Sequence, residues 1–272
     1  MPPLLFEREA MTVTAQYTTN LSKAQGMVPE TLELLELWEP GMSVVELKAR
    51  VRGVGALGKT TQVRVDDLVG RGFAQRFLIE QGKPAMWLRR LLNSKAPRGV
   101  LRQLILLYTA RANRILHDFI REVYWVKNSS GAGEVAKQDA RDFIERAVSR
   151  GALEKRWSET MVERVTRYLL GTLVDFELIA ENRYGQRQIR PLYIMPETVT
   201  FLAHELHFAG VDDQELTRHA DWGLFGLMPA DVIGALNKCA TQGHLFIQHS
   251  GGVLRLEWKY RNMDEVLDAL TH

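Results

Sequence analysis

The second half of the chain carries one pattern twice: a helical stretch is followed at once by two short strand-like runs around a polar turn. In the first copy, Ser158 can cap a helix over 159–173, and runs within 176–194 flank Asn182-Arg183-Tyr184-Gly185. In the second, Pro229 suits the first turn of a helix ending at Thr241, and runs within 245–258 follow it. A helix followed by a small hairpin is typical of a winged helix. The chain is therefore predicted to be mainly α, a helical bundle with winged-helix-like modules.

The first half is predicted to be almost entirely helical. Apolar spacing indicates short helices near 29–39, 43–51 and 62–78, an arrangement that matches a helix-turn-helix core. Alternation of apolar residues over 45–51 leaves a strand open as an alternative there. One long central helix is expected over 101–126, followed by a flexible turn over 127–134 and a short helix over 139–149.

These elements suggest a division of the 272 residues into two or three modules. We expect a candidate disordered leader over 1–16, a helix-turn-helix-like domain over 17–97, central helices over 98–150, and winged-helix-like units over 151–272. Whether the protein forms homo-oligomers stays an open question.

A cytoplasmic location is expected from what the sequence lacks. No apolar run approaches the roughly 18 residues that a membrane helix needs, and Met1–Ala10 does not have the basic and apolar regions of a secretory signal. The single cysteine, Cys239, cannot form an internal disulfide, which fits a reducing compartment.

A basic block lies within the chain although the net charge is only +2. Residues 83 to 121 contain one acid, Asp118, and nine cations: Lys83, Arg89, Arg90, Lys95, Arg98, Arg102, Arg111, Arg114 and Arg121. Most are arginines, whose planar fork suits phosphate oxygens. Two interpretations stay open: contact with nucleic acid, or a solvated helix surface whose acids come from neighbouring elements.

The string Gly53-Val54-Gly55-Ala56-Leu57-Gly58-Lys59-Thr60 satisfies the phosphate-loop pattern of nucleotide-binding enzymes. In such enzymes the lysine reaches the terminal phosphates and the hydroxyl holds magnesium. The loop belongs to a fold whose sheet has several buried strands. The surrounding sequence predicts helices instead of those strands. The other interpretation is a turn between helices that places Lys59, Thr60 and Arg64 at a helix start, where DNA phosphate would bind.

No other motif indicates catalysis, a metal or a cofactor. His204 and His207 are three residues apart, whereas the metalloprotease motif needs four and a third ligand. No serine lies in a nucleophile elbow, and Cys239 falls on an apolar helix pattern. We therefore expect no catalytic site and no cofactor.

Arginines are the strongest candidates for contact with double-stranded DNA. A winged-helix arrangement would bring the arginines of the first helix and hairpin, Arg164, Arg167, Arg183, Arg187 and Arg190, to one side. Three further candidates, Arg89, Arg90 and Arg98, come from the basic block.

The order and spacing of several strings resemble the BrxA family of BREX bacteriophage-defence systems over nearly the whole chain after about residue 16. They are Tyr17-Thr18-Thr19-Asn20-Leu21, 57–64, 71–77, Trp157-Ser158-Glu159-Thr160, 221–227 and 254–260. The resemblance implies a helical, winged-helix-like DNA-binding component, encoded beside the methyltransferase, phosphatase-like and ATPase proteins of the system. It also implies contact with other BREX proteins and a helical setting for the glycine-lysine string. A nucleotide-binding enzyme using Gly53–Thr60 and a winged-helix transcription regulator are the alternatives.

Overall fold

A computed structural model describes residues 16–22, 24–58, 60–153, 155–250 and 253–271 of the chain. Apart from Gln16, the predicted leader over 1–16 lies outside these residues, and so does Lys59. Across the described part, no helix is long and apolar enough to cross a membrane.

The protein is mostly helical, as predicted, with two small antiparallel hairpins. The first half contains α1 (Val28–Leu37), α2 (Val44–Val54), α3 (Gln62–Asp66), α4 (Ala74–Phe77), α5 (Lys83–Leu92), α6 (Arg98–Arg111), α7 (Arg114–Phe119) and α8 (Trp125–Ser129). The second half contains α9 (Lys137–Ser149), α10 (Glu159–Asp175), β1 (Ile179–Glu181), β2 (Arg187–Ile189), α11 (Pro196–Phe208), α12 (Asp213–Arg218), α13 (Pro229–Thr241), β3 (Leu245–Ser250), β4 (Val253–Trp258) and α14 (Met263–Thr271). Short 3-10 segments occur at Asn20–Ser22, Glu80–Gly82 and Ala220–Phe225.

The strand alternative over 45–51 is wrong, because this segment belongs to α2. The Ser43 side chain accepts a hydrogen bond from the Glu46 backbone N–H, and the Glu46 carboxylate accepts one from the Ser43 N–H. This reciprocal capping box fixes the helix start. Leu47 and Val51 are buried whereas Val45 and Ala49 are exposed, although a strand would place all four side chains on one face.

The single helix predicted over 101–126 is also wrong, since the chain breaks between α6 and α7. Asn113 has φ −135° and ψ 86°, outside the helical region. Its side-chain amide donates to the Thr109 carbonyl over 2.8 Å, and its own carbonyl accepts from the His117 N–H. A side chain that competes for backbone partners in this way commonly ends a helix. Past the break, residues Ile120–Tyr124 form a π-helical turn before α8.

The helix predicted over 62–78 exists, but its middle is wider than an α-helix. Residues Asp67–Phe73 form π-helical turns between α3 and α4. Gly72 faces Met27 and Ala24 so closely that a Cβ atom would lie 2.5 Å from the Met27 sulfur. The segment over 24–27 therefore packs directly on this backbone.

That segment also reaches α10. Arg76, which is fully buried, donates to the carbonyl of Gln25 over 2.8 Å and to that of Ala24. On the opposite side, Asp175 accepts from the Gln25 side chain over 3.1 Å and from the Gly26 N–H over 3.0 Å. Residues 24–27 thus form a strap that joins α4 to the end of α10.

The first hairpin carries a third, very short strand. β1 pairs with β2 in the register Ile179 with Ile189 and Glu181 with Arg187. Glu134, just before α9, forms an antiparallel bridge with Gln188 on the other edge of β2. Along the chain, the order is therefore α8, the bridged segment at Glu134, α9, α10, β1 and β2.

A similar order follows in the second unit, from α11 through α12 and α13 to β3 and β4. β3 pairs with β4 from Leu245 opposite Trp258 to Ser250 opposite Val253. Asp213 of α12 accepts a hydrogen bond from the Leu256 N–H over 2.8 Å, so a side chain holds the outer edge of β4. The buried apolar residues of the described chain form one connected core, and the predicted domain boundaries stay a prediction.

Candidate nucleic-acid interface

Five of the nine cations in the basic block have carboxylate partners, all but one of them supplied by other elements. Lys83 pairs with Glu80, Arg90 with Asp264 and Asp268, Arg102 with Glu177, Arg111 with Glu205 and Asp221, and Arg114 with Asp118. Most of the block thus follows the second interpretation, in which neighbouring acids neutralise a helix surface.

Arg111 is the centre of a buried charge network. Its guanidinium donates to both carboxylate oxygens of Glu205 over 2.8 and 2.9 Å and to Asp221 over 2.8 Å. Tyr108 donates to Glu205 as well, over 2.8 Å. Burial opposes the charge on Arg111, but Glu205 and Asp221 outweigh it and raise the pKa of Arg111 above its ordinary value. Arg111 is half-buried, and its two partners are more deeply buried than it is.

The same network extends through His117 to the start of the described chain. The His117 imidazole lies 3.2 Å from Asp118 and 3.9 Å from Asp221. Tyr17 donates to Asp118 over 2.9 Å, and Arg114 does so over 2.8 Å. Burial opposes ionisation of Asp118, yet these hydrogen bonds lower the pKa of its carboxyl to about 2. The network ties the segment before α1 to α7 and to the 3-10 segment Ala220–Phe225.

The three block arginines that were predicted to bind DNA lie in different surroundings, although Arg89 and Arg90 line the same cavity. Arg90 is engaged by Asp264 and Asp268 of α14. Arg89 is half-buried and lines a cavity, whereas Arg98 is exposed in the first turn of α6. Their DNA contact stays a prediction.

The glycine-lysine string joins two helices. Gly53 and Val54 are the last residues of α2, Gly55 has the left-handed φ of 65° that ends it, and α3 begins at Gln62. Thr60 donates its hydroxyl to the Leu57 carbonyl, and Arg64 is exposed on α3. A phosphate loop follows a buried parallel strand, but helix α2 precedes this one, and the sheets in the described ranges are antiparallel hairpins.

Arg164 and Arg167 lie on an exposed stripe of α10. The helix begins where the Ser158 side chain accepts from the Met161 N–H, as predicted. Thr160, Arg164 and Arg167 follow one another at helical spacing and are all exposed. Further along this stripe, a Cβ on Gly171 would lie 2.5 Å from the Gln25 amide nitrogen. The strap therefore covers the end of the stripe and leaves its first turns open.

Two acidic residues beside this stripe pair with cations of α9. Glu159 pairs with Arg141 over 2.5 Å, and Glu163 pairs with Lys137 over 2.6 Å and also with Arg141. Since both partners lie on α9, these acids do not neutralise the arginine stripe. Lys155 and Arg156, which the sequence prediction missed, are exposed immediately before α10.

The hairpin arginines fall into two groups. Arg187 is half-buried and pairs across the strands with Glu181 over 2.7 Å. Arg183 is exposed at the turn, with its guanidinium 4.7 Å from the ring centre of Tyr184, a side chain that is itself 73% exposed. Arg190 is exposed after β2, where its carbonyl accepts from Tyr124.

The corresponding surface of the second unit, formed by α13 and the β3–β4 hairpin, carries little net charge. Exposed positions on α13 include one acid, Asp231, and one base, Lys238. Arg255 and Glu257 are both exposed on β4. Among the described residues, no group of three histidine, cysteine, aspartate or glutamate side chains could hold a metal ion.

Comparison with known proteins identifies the family. The model of the BrxA family matches residues 15–205, about seven-tenths of the chain. The chain belongs to the BrxA family. This confirms the resemblance noted from the sequence and makes the protein a BREX-associated defence protein.

The BrxA match covers α10 and the first hairpin, and it ends within α11. A crystal structure of an uncharacterized protein from Magnetospirillum magneticum has a similar fold, with a TM-score of 0.57 and 13% identity, covering 71% of this chain and 95% of that one. At this identity the likeness concerns the fold alone. The curated proteins give no match.

Proposed function

We propose that this BrxA-family protein is a non-catalytic, double-stranded DNA-binding component of a BREX defence system, acting in the cytoplasm beside other BREX proteins. In this proposal α10 enters the major groove and the β1–β2 hairpin acts as a wing on the adjacent backbone. The observation that carries it is the exposed Thr160, Arg164 and Arg167 stripe, which lies beside a hairpin whose turn is an exposed arginine and tyrosine.

The chain order supports a winged helix for this unit. A winged helix places a short strand before its second helix and pairs that strand with the last strand of the hairpin. Here the Val135 N–H donates to the Arg187 carbonyl and the Ile189 N–H donates to the Gly133 carbonyl, each over 3.0 Å. In such folds the N-terminal residues of the recognition helix contact base edges. The exposed first turns of α10 are the matching part.

Charge supports a nucleic-acid partner for the same surface. Within the described residues, none of the unit's exposed cations Lys155, Arg156, Arg164, Arg167, Arg183 and Arg190 has a carboxylate partner within ion-pair distance. Duplex DNA is favoured over duplex RNA, because an α-helix fits the wide major groove of B-form DNA and not the deep, narrow one of A-form RNA.

The proposal predicts a steep dependence of affinity on salt. Each neutralised phosphate on duplex DNA contributes about 0.9 to the slope of log affinity against log salt, so six contacts weaken binding roughly a thousandfold between 50 and 200 mM. Fluorescence anisotropy with a short labelled DNA duplex measures this slope. A matched RNA duplex is the control and should bind more weakly.

Two results would contradict the proposal. An affinity for duplex DNA that is indifferent to salt would mean that the arginines do not contact phosphates. Equal or tighter binding of the RNA duplex would exclude α10 as a helix that reads the B-form major groove.

A further inference from the structure

Three histidines and two aromatic residues form a cluster between α11 and the β3–β4 hairpin. His204 and His207 lie about one turn apart on α11, and His244 directly precedes β3. The His207 ring stacks on Trp258 at the end of β4, with 4.3 Å between ring centres and 12° between the ring planes. The His204 ring lies edge-on to Trp258 at 4.8 Å, and its centre is 5.2 Å from that of Tyr260. The cluster therefore joins the hairpin to α11.

His204 is fully buried and bonds through one of its two ring nitrogens. Its Nδ1 lies 2.7 Å from the Thr200 carbonyl, and Nδ1 must donate because a carbonyl oxygen only accepts. Its Nε2 is shielded from solvent and makes no hydrogen bond with any described residue. A second proton would turn this ring into a buried cation, which is costly. Backbone groups of Thr200 and His244 favour the charged ring, but burial outweighs them and lowers the pKa of His204 to about 4.

Little around the cluster would balance a charge on its rings. No carboxylate of the described chain, α14 included, lies within ion-pair distance of any of the three histidines. At longer range, Asp213 of α12 favours a charge on His207. Glu197 of α11 favours a charge on His244, whereas Lys259 after β4 opposes it. Burial outweighs these carboxylates and lowers the pKa of both rings.

Two further titratable neighbours stay neutral in mild acid. The Tyr260 hydroxyl lies 2.9 Å from Nδ1 of His244, and burial raises the pKa of this tyrosine. Cys239 of α13 lies 3.3 Å from the Thr200 hydroxyl, and burial raises the pKa of its thiol. The histidines are therefore the groups of the cluster that change charge in mild acid.

Histidines are distributed unevenly along the chain. None occurs between residues 118 and 203, so the first helix and hairpin unit contains none. Outside the cluster, the His117 ring lies 3.2 Å from Asp118 and the His219 ring lies 3.3 Å from Asp221. A nearby carboxylate favours a protonated ring. Among these described histidines, mild acid therefore adds unfavourable charge to the cluster only.

We propose that the cluster is an acid-sensitive joint, which holds the β3–β4 hairpin on α11 at neutral pH and releases it in mild acid. Well above pH 6.5, the ordinary pKa of histidine, the neutral rings pack on Trp258 and Tyr260. Below 6.5 the released state binds protons that the packed state excludes. The packed state therefore loses stability as the pH falls from 6.5 towards the lowered pKa of about 4. This inference does not rest on the DNA-binding proposal.

Hydrogen exchange of the full-length protein at pH 7.5 and pH 5 tests the joint, after correction for the intrinsic effect of pH on exchange. At pH 5, protection of the β4 amides should fall by at least about thirtyfold, the change in an opening equilibrium caused by one histidine whose pKa is lowered from 6.5 to about 4. Protection of α10, which belongs to the unit without histidines, should change by less than about threefold.

Two variants assign the effect to the cluster. His204→Phe keeps an aromatic ring against Trp258 but cannot be protonated, so the loss of β4 protection should become smaller by about tenfold or more. His219→Gln is the matched control, because this histidine lies outside the cluster and beside Asp221. Its loss of β4 protection should equal that of the parent. The comparison uses the ratio between the two pH values within each variant.

A second measurement keeps the test decisive if His204→Phe alters the fold. An NMR titration of the parent protein follows the imidazole of His204 directly, and this ring should titrate well below pH 6.5, near pH 4. The inference is overturned if the ring titrates near 6.5 while β4 stays protected. It is also overturned if β4 and α10 lose protection equally, or if His204→Phe keeps the full loss at pH 5.

Discussion

Reversing the charge of Arg164 and Arg167 together is expected to weaken binding to duplex DNA by at least about a hundredfold. Each substitution to glutamate removes a contact with phosphate or a base edge, and a contact of this kind contributes about 1–3 kcal/mol. Each also adds repulsion. Both side chains are exposed and have no carboxylate partner in the described structure, so the free energy of unfolding should change by no more than about 0.5 kcal/mol. Anisotropy titration and thermal unfolding measure the two effects.

The second unit supplies a control with the same change in net charge. Lys238→Glu with Arg255→Glu reverses two exposed cations on α13 and β4, the helix and hairpin that correspond to α10 and the β1–β2 hairpin. This double variant should bind duplex DNA nearly as tightly as the parent. If both double variants lose affinity equally, binding reflects overall charge; if neither loses affinity, α10 is not the interface.

The hairpin requires a different choice of variant. Reversing Arg187 would place a second carboxylate opposite Glu181, with which Arg187 pairs across the strands. Like charges directly opposite each other destabilise a strand pair, so a loss of DNA binding would be ambiguous. Arg183 lies at the exposed turn, so its reversal tests the contact of the hairpin with DNA without placing like charges opposite each other in the strand pair.

Replacing Arg111 with leucine is expected to lower the free energy of unfolding by about 3–5 kcal/mol. The change removes the cation that Glu205 and Asp221 share and leaves two shielded carboxylates without it. Breaking a buried pair from one side costs this much because the remaining charge is uncompensated. Urea denaturation followed by circular dichroism measures the shift in midpoint.

Arg102→Leu is the matched control for this prediction. Like Arg111, Arg102 pairs with a carboxylate that is distant in sequence, in this case only Glu177. Both of these side chains are substantially exposed, and surface pairs contribute about 0–1 kcal/mol. A loss for Arg111→Leu that is no larger than the loss for Arg102→Leu would show that the network is not a stabilising centre of the fold.

Elements with local sequence signals could be predicted from the sequence. The Ser158 cap, the helix over Pro229–Thr241 and both hairpins depend on residues a few positions apart, and all are found in the structure. The break at Asn113 could not be predicted from periodicity, since apolar residues continue at helical spacing on both sides of it. There the Asn113 side-chain amide bonds to the Thr109 carbonyl, a contact that apolar spacing does not encode.

The candidate site was only partly predictable for the same reason. The sequence predicted that the arginines of α10 and of the hairpin lie on neighbouring elements, because a helix and its following hairpin are adjacent in sequence; their DNA contact stays a prediction. The carboxylates that neutralise the basic block were not identified, since Glu177, Glu205, Asp221 and Asp264 are distant in sequence and meet it only in the fold. Lys155 and Arg156 were missed although they directly precede the Trp157-Ser158 helix start.

Photo-crosslinking to DNA tests the central claim most directly. A duplex containing 4-thiothymidine would be irradiated with the full-length protein, and the crosslinked peptides identified by mass spectrometry. We expect the crosslinks within 155–168 and 182–187, the exposed turns of α10 and the hairpin turn. Crosslinks confined to 83–121 or to 229–258 would contradict the assignment of the first helix and hairpin unit as the DNA-binding surface.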